Sequence, residues 1–298
     1  MSVPLAFIGA ILIWSTTPLA IKWSAEGPGF IFAVSSRMLI GTLGCLFILM
    51  LVRGKLHWHR QALRSYVAAG LGIFGAMSCV YWGAQFIPSG LVSVIFGLTP
   101  LLTGLMASIW LKEQGLNLTK LMGLASAFAG LVVIFGDGVS AGEDAVLGML
   151  SVLMATVLHS TSTVWVKKVG ADLPVMSITT GGLVVALPLY LLSWVVLDGE
   201  WPTAIPDTAM WSIVYLGLFG SVMGFILFYY VLKHVEASRV GLIPLVTPVL
   251  ALILGQLLNH ETIPSVVWAG SGLILLGMSV YQWGPLLLRQ RRLAAEEE

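Results

Sequence analysis

The chain has 298 residues, 58% of them hydrophobic and 10% charged, and its mean hydropathy is +0.95. Too few charged side chains remain to give so long a chain a soluble surface, and so apolar a composition also excludes disorder. A net charge of +1 leaves no basic excess to grip a phosphate backbone, so no nucleic acid is expected as a partner.

A bilayer core needs about 20 apolar residues of helix per crossing, and ten such runs follow one another along the chain. The first, 3–24, is too long for a signal-peptide core and has no positive flank before it, so it reads as a span. It carries Trp14, then Ser15, Pro18 and Lys22 at i, i+3 and i+7, one helical face. The second, 29–52, places Arg37 about 12 Å into the membrane by the helical rise. A charge at that depth costs at least about 2.5 kcal/mol, so a partner or an aqueous cavity is expected. A strut to helix-end carbonyls and a substrate carboxylate site fit equally well. The third, 65–87, holds Ser78, Tyr81, Trp82 and Gln85 on one face, a poor lipid surface that suits a cavity wall. A headgroup anchor is the alternative for the rings.

The fourth run, 89–112, contains Phe96, Thr99 and Pro100 and is followed by Glu113. The fifth, 118–136, has Gly123, Ala127 and Gly130, small residues that let helices approach, with a dimer face as a secondary reading. After it, Gly138-Val139-Ser140-Ala141-Gly142 matches a G-x-S-x-G hydrolase string. It falls in an expected outer loop with no strand before it, so a membrane-embedded serine hydrolase is a poor alternative and no enzyme is expected. The sixth run, 145–168, repeats the spacing of the first with Ser160, Thr163 and Lys167, and places His159 near its middle. That histidine is the best proton-responsive candidate, against a polar packing role. The two lysines can also snorkel to the interfaces.

The seventh run, 175–198, carries Pro188. In the eighth, 209–233, Ser221, Phe225 and Tyr229 share a face that Tyr230 adjoins. The ninth, 238–259, contains Pro244 and Pro248 and is followed by Glu261; the tenth, 263–286, has Gly270 and Gly277. Interior prolines free backbone carbonyls, and Pro18, Pro100, Pro244 and Pro248 are candidate hinges. Glu113 and Glu261 follow their spans, where solvation is expected and locking of opposite gates is the alternative. No Asp or Glu falls near the middle of any span, which argues against a carboxylate proton relay. The two cysteines, Cys45 and Cys79, sit in apolar runs as small hydrophobes. The five histidines show no metal-ligand spacing, so neither metal nor cofactor is expected.

With a cytoplasmic N-terminus, thirteen of the fifteen Lys and Arg fall on one side and the outer loops have none. The positive-inside rule then places both termini in the cytoplasm. The chain also repeats itself. Thr99-Pro100 lies over Thr247-Pro248, Glu113 over Glu261, and Tyr81-Trp82 over Tyr229-Tyr230 at an offset of 148; Ser15 and Lys22 lie over Ser160 and Lys167 at 145. The expected units are 1–139 and 140–298. Five spans per unit is an odd number, so the second copy is inverted, a known transporter plan.

This ordered set of residues resembles the drug/metabolite transporter superfamily in its ten-helix, EamA-type branch. It rests on Trp14-Ser15 with Lys22, Arg37, Tyr81 through Ala84, Thr99-Pro100, Glu113, Gly123 with Gly130, and their second-half matches Thr247-Pro248, Glu261, Gly270 and Gly277. His159 stands where Trp14 would recur and Gly182 where Arg37 would. The resemblance implies an all-α polytopic membrane protein, two inverted five-helix repeats around a central cavity. It further implies export of amino acids or other small metabolites by alternating access, in the plasma membrane, with a bacterial inner membrane expected.

The expected partners are a small-molecule substrate and the lipid bilayer, with the chain a monomer or a homodimer. The candidate substrate residues are Trp14, Ser15, Arg37, Ser78, Tyr81, Trp82, Gln85, Phe96, Thr99, His159, Thr163, Tyr229 and Tyr230. Rings, hydroxyls and one cation suit an apolar zwitterion; cationic drugs held by cation–π contacts are the alternative.

Overall fold

The computed structural model describes residues 2–112, 117–170, 172–224, 226–227, 230–231 and 242–296, and they form helices and connections with no strand among them. The first unit contains α1 (Val3–Ala25), α2 (Phe30–Leu51), α3 (Arg60–Gly83), α4 (Ser89–Phe96), α5 (Thr99–Trp110) and α6 (Leu118–Ala141). The second contains α7 (Glu143–Val169), α8 (Val175–Leu197), α9 (Asp207–Tyr215), α10 (Leu242–Asn259) and α11 (Ser265–Glu296). α9 runs directly into a π-helical stretch, Leu216–Met223. Among the described residues, eight helical runs are long and apolar enough to cross a membrane, α4 and α5 counting as one run. The shorter apolar helix Ile243–Asn259 and the run that starts at Asp207 bring the number to ten.

Three expected boundaries move. The fourth span is broken, because residues 97 and 98 form a turn between α4 and α5. Pro100 has no N–H to give the Phe96 carbonyl, and the Thr99 hydroxyl donates to it instead, at 2.6 Å. Residues 138–141, expected in an outer loop, continue α6. The basic tail continues α11 as helix to Glu296.

The packing pattern repeats with the two units exchanged. α3 lies against α7 and α8; their counterparts, α9 with the π stretch, lie against α1 and α2. α4 and α5 lie against α7, as α10 lies against α1. On the axis that relates the units, α6 pairs antiparallel with α11 through glycines seven residues apart on each helix. A Cβ on Gly123 would stand 2.6 Å from the Gly277 carbonyl oxygen, and one on Gly270 would stand 2.8 Å from that of Gly130. Such an approach trades side-chain volume for backbone contact. These glycines are therefore occupied inside the chain, which removes them from the dimer face considered above.

The deepest element is α4, buried at every position from Ser89 to Ile95. A Cβ on its Gly90 would stand 2.5 Å from the Leu252 Cα of α10, and one on Gly97 3.4 Å from Pro248. The proline-bearing spans of the two units thus meet face to face.

Candidate functional site

Arg37 sits on α2, 5% exposed, and neutral groups surround it. Its Nε donates to Ser221 Oγ at 3.3 Å and its Nη1 to the Tyr81 hydroxyl at 3.5 Å. Its guanidinium carbon lies 5.9 Å from the Tyr81 ring centroid. The ring belongs to α3 and is fully buried. Ser221 belongs to the π stretch, where the i→i+5 pattern turns its hydroxyl onto the Leu216 carbonyl at 3.1 Å and leaves its oxygen free to accept from Arg37. Short turns of π-helix recur at functional sites. Glycines open the space: a Cβ on Gly220 would meet Arg37 Nη2 at 3.4 Å, and one on Gly41 would meet Ser221 Cβ at 3.1 Å.

A guanidinium has five N–H donors, and among the described residues no carboxylate pairs with this one. The result is a buried cation at the seam between the two units, with α2 and α3 from the first and the π stretch from the second. Ser78 is half-buried on α3, and the Tyr190 hydroxyl of α8 shares its proton between the α3 carbonyls of Ile73 at 2.8 Å and Phe74 at 3.1 Å.

A second group gathers at the break between α4 and α5. Phe96 and His159 face each other with ring centroids 5.4 Å apart. On α7, one turn apart, the buried Ser160 hydroxyl donates across to the Thr99 carbonyl at 3.3 Å, while the Thr156 hydroxyl donates to the Val152 carbonyl of its own helix at 2.8 Å, with the Ile95 carbonyl a longer second acceptor at 3.4 Å. Thr163 is exposed and back-bonds to the His159 carbonyl at 2.9 Å, so it is not held by this group. In the other unit Ser15, the counterpart of Ser160, is fully buried and its hydroxyl has no hydrogen-bond partner among the described residues. Beside it Thr16 Oγ1 meets the Tyr215 hydroxyl at 2.6 Å. Trp14 lies against Gly224, where a Cβ would stand 2.8 Å from its Nε1.

One end of the bundle is fastened. Glu261, at the end of α10, accepts from the Ser89 backbone N–H at 2.9 Å and from the Ser89 hydroxyl at 3.0 Å. Pro88 supplies no side-chain cap to α4, so the carboxylate caps this helix from the other unit, where unpaired N–H groups and the helix dipole both favour an anion. Lys22 Nζ lies 3.6 Å from Glu261 Oε1 and donates to the Ile87 carbonyl at 3.2 Å. Asn259 donates to Glu261 at 3.0 Å and accepts from Trp23 Nε1 at 2.9 Å. The Glu261 side chain is only 5% exposed, so the solvation expected for it is overturned, and Lys22 pairs instead of snorkelling. Glu113, its counterpart, lies outside the described residues.

The remaining candidates spread out. Trp82 packs on Phe86 with centroids 4.8 Å apart. Gln85 lies past the end of α3, exposed, bonded back to the Trp82 carbonyl at 3.3 Å. Tyr230 packs beside the buried cluster that includes Ala10, Leu227 and Val231. Tyr229 and Phe225 lie outside the described residues. Pro18 sits inside an unbroken α1 and Pro248 inside an unbroken α10, Pro244 falls in the first turn of α10, and Pro100 stands at the break. Sequence reading missed Ser89, Asn259, Trp23, Thr16, Tyr190 and Tyr215. For Ser89 a signal existed, namely an apolar helix opening after Pro88 with no side-chain cap.

The EamA-like transporter family profile matches residues 1–136 and again residues 146–281. An "Uncharacterized transporter YoaV" of Bacillus subtilis is 30% identical over 93% of this chain and 96% of its own. The "Uncharacterized inner membrane transporter YedA" of Escherichia coli K12 is 24% identical over 97% of this chain and 94% of its own. A "Probable amino-acid metabolite efflux pump" of Salmonella typhimurium is 24% identical over 74% of this chain and 77% of its own. One solved crystal structure, 21% identical, superposes with a TM-score of 0.67 over 97% of this chain and 99% of its own, which supports the fold. With two family matches that together cover most of its length, this multi-pass membrane protein belongs to the EamA-like transporter family and is a transporter, not an enzyme.

Proposed function

We propose that the chain exports small zwitterionic metabolites, amino acids with apolar side chains first among them, by alternating access, and that Arg37 takes the substrate carboxylate. The observation that carries this reading is the buried guanidinium at the seam between the units, held among the described residues by hydroxyls and a ring. Such a cation is stabilised by an arriving carboxylate, which can take two parallel N–H donors. Substrate sites in inverted-repeat transporters lie at this kind of seam, and Tyr81 supplies aromatic surface beside the guanidinium. The Salmonella relative's name points the same way. A positive charge here opposes the cationic-drug reading.

Both termini are cytoplasmic and the membrane is the bacterial inner membrane; the one-sided distribution of Lys and Arg supports that orientation. It puts the Glu261 fastening on the outer side, so the conformation is closed outward. Saturable counterflow of labelled apolar amino acids in proteoliposomes is the expected outcome. The matching decarboxylated amines should exchange on the order of 100-fold less well, as for loss of a buried charge pair worth about 3 kcal/mol. Equal exchange of acid and amine would sink the role of Arg37, and flux that never saturates would replace the carrier with a pore.

A further inference from the structure

The structure has a basic groove that the transport site does not use. It opens between the start of α3 and the end of α7, has a volume of about 640 Å³, and is lined by Arg60, Arg64 and Lys168 with no acidic residue among the described residues of its wall. None of these three cations has an ion-pair partner among the described residues. Further along the two helices are tight: Ser162 donates to the Ala68 carbonyl at 2.8 Å, and Gly72 faces the Ser162 side chain. The groove therefore has a floor. Its other wall is apolar and open, with Leu63 41%, Val67 42% and Trp165 45% exposed. The charges sit at the helix ends and the apolar surface runs from them into the span.

We propose that this groove binds an anionic phospholipid. Its headgroup phosphate sits among Arg60, Arg64 and Lys168, and an acyl chain lies along Leu63 and Val67. Two complementarities select this occupant. Three unpaired cations want a phosphate, and basic pockets between membrane helices are suited to anionic headgroups. A free phosphate, however, would leave the adjoining apolar wall facing water or uncovered, whereas a lipid covers both. Trp165 places the site at headgroup depth, where indole rings settle. The three donors are drawn from α3 and α7, so the lipid fastens two helices from opposite units.

The test is native mass spectrometry of the full chain in detergent, titrated with phosphatidylglycerol, phosphatidylcholine or glycerol 1-phosphate. Phosphatidylglycerol is expected to bind tightly, phosphatidylcholine on the order of 100-fold more weakly, and glycerol 1-phosphate should not displace the lipid at equal concentration. The triple variant Arg60→Gln, Arg64→Gln, Lys168→Gln should lose binding on the order of 100-fold and Arg64→Gln alone about 5-fold, following the worth of a basic residue at an anionic surface. The double variant Arg53→Gln, Lys55→Gln, exposed outside the groove, should bind as the parent does. If the triple variant does not fold, Arg64→Gln decides. Parent-like binding by the charge variants, equal binding of phosphatidylcholine, or displacement by glycerol 1-phosphate would each overturn the proposal, the last by making this a soluble-phosphate site.

Discussion

The two halves of the fourth span, α4 and α5, have similar apolar composition and opposite surroundings. In α4 every residue from Ser89 to Ile95 is buried, while in the twelve residues of α5 only Leu101 is. α4 is held at its N-terminus by Glu261 and along its length by α10. α5 leans chiefly on α7. A break at Gly97–Leu98 separates them, and the Thr99 hydroxyl satisfies the Phe96 carbonyl that Pro100 cannot reach. The lesson is that this conformation is fastened at one end and loose at the other. In an inverted repeat that is the signature expected of one of two exchanging states.

The largest way to break this comparison is to unfasten α4. In a Cys45→Ala, Cys79→Ala background, Glu261→Ala removes the acceptor for Ser89, Asn259 and Lys22. Removing one partner of a mostly buried pair costs about 3–5 kcal/mol, and the quarter exposure of Lys22 argues for the lower figure. A cysteine at Ser93, buried in the parent, should become reactive to a membrane-impermeant maleimide, with the equilibrium shifted on the order of 100-fold. Continued protection of that cysteine would mean that α4 is not held by its cap.

Next in size is a pair of glycine substitutions. Gly90→Ala drives a methyl against the Leu252 backbone, which cannot yield, and should cost about 1–3 kcal/mol, read as a lowered Tm. Gly104→Ala on α5 meets the end of the Tyr281 side chain, which can swing away, so its Tm should stay near the parent's. Equal losses would erase the distinction between a clamped and a loose half-span.

Smaller still is Thr99→Val, which leaves the Phe96 carbonyl without its donor and should destabilise by about 1 kcal/mol in chemical denaturation. The smallest effects carry the sharpest sign. Ser160→Ala removes a made hydrogen bond and should cost about 1 kcal/mol, whereas Ser15→Ala removes an unpartnered buried hydroxyl and should be neutral or stabilising. Two losses of the same size would show that the two units are equivalent in this conformation.

The ten spans were legible because apolar run length and helical period are local properties of the chain. The inverted repeat was legible because two ordered offsets, 148 and 145, survive in sequence. Arg37 stood out by the energetic cost of its depth, and its neighbour Tyr81 by its face. Glu261 was misjudged as solvated because its partners, Ser89 at 172 residues' separation and Lys22 on α1, come from far away in the chain. The π stretch that aims Ser221 was also invisible, since nothing in Leu216–Met223 departs from an ordinary apolar helix by composition.

What the sequence by itself determined is the solvent: with so few charges the chain must live in lipid, and lipid requires each span to satisfy its own backbone as helix. What only tertiary structure decided is which symmetry-related contacts are made at a given moment. Ser15 and Ser160 occupy matching positions in matching helices, yet among the described residues one is bonded and the other is not. That choice depends on how the units are rocked against each other, a difference that belongs to their arrangement and not to either matching position.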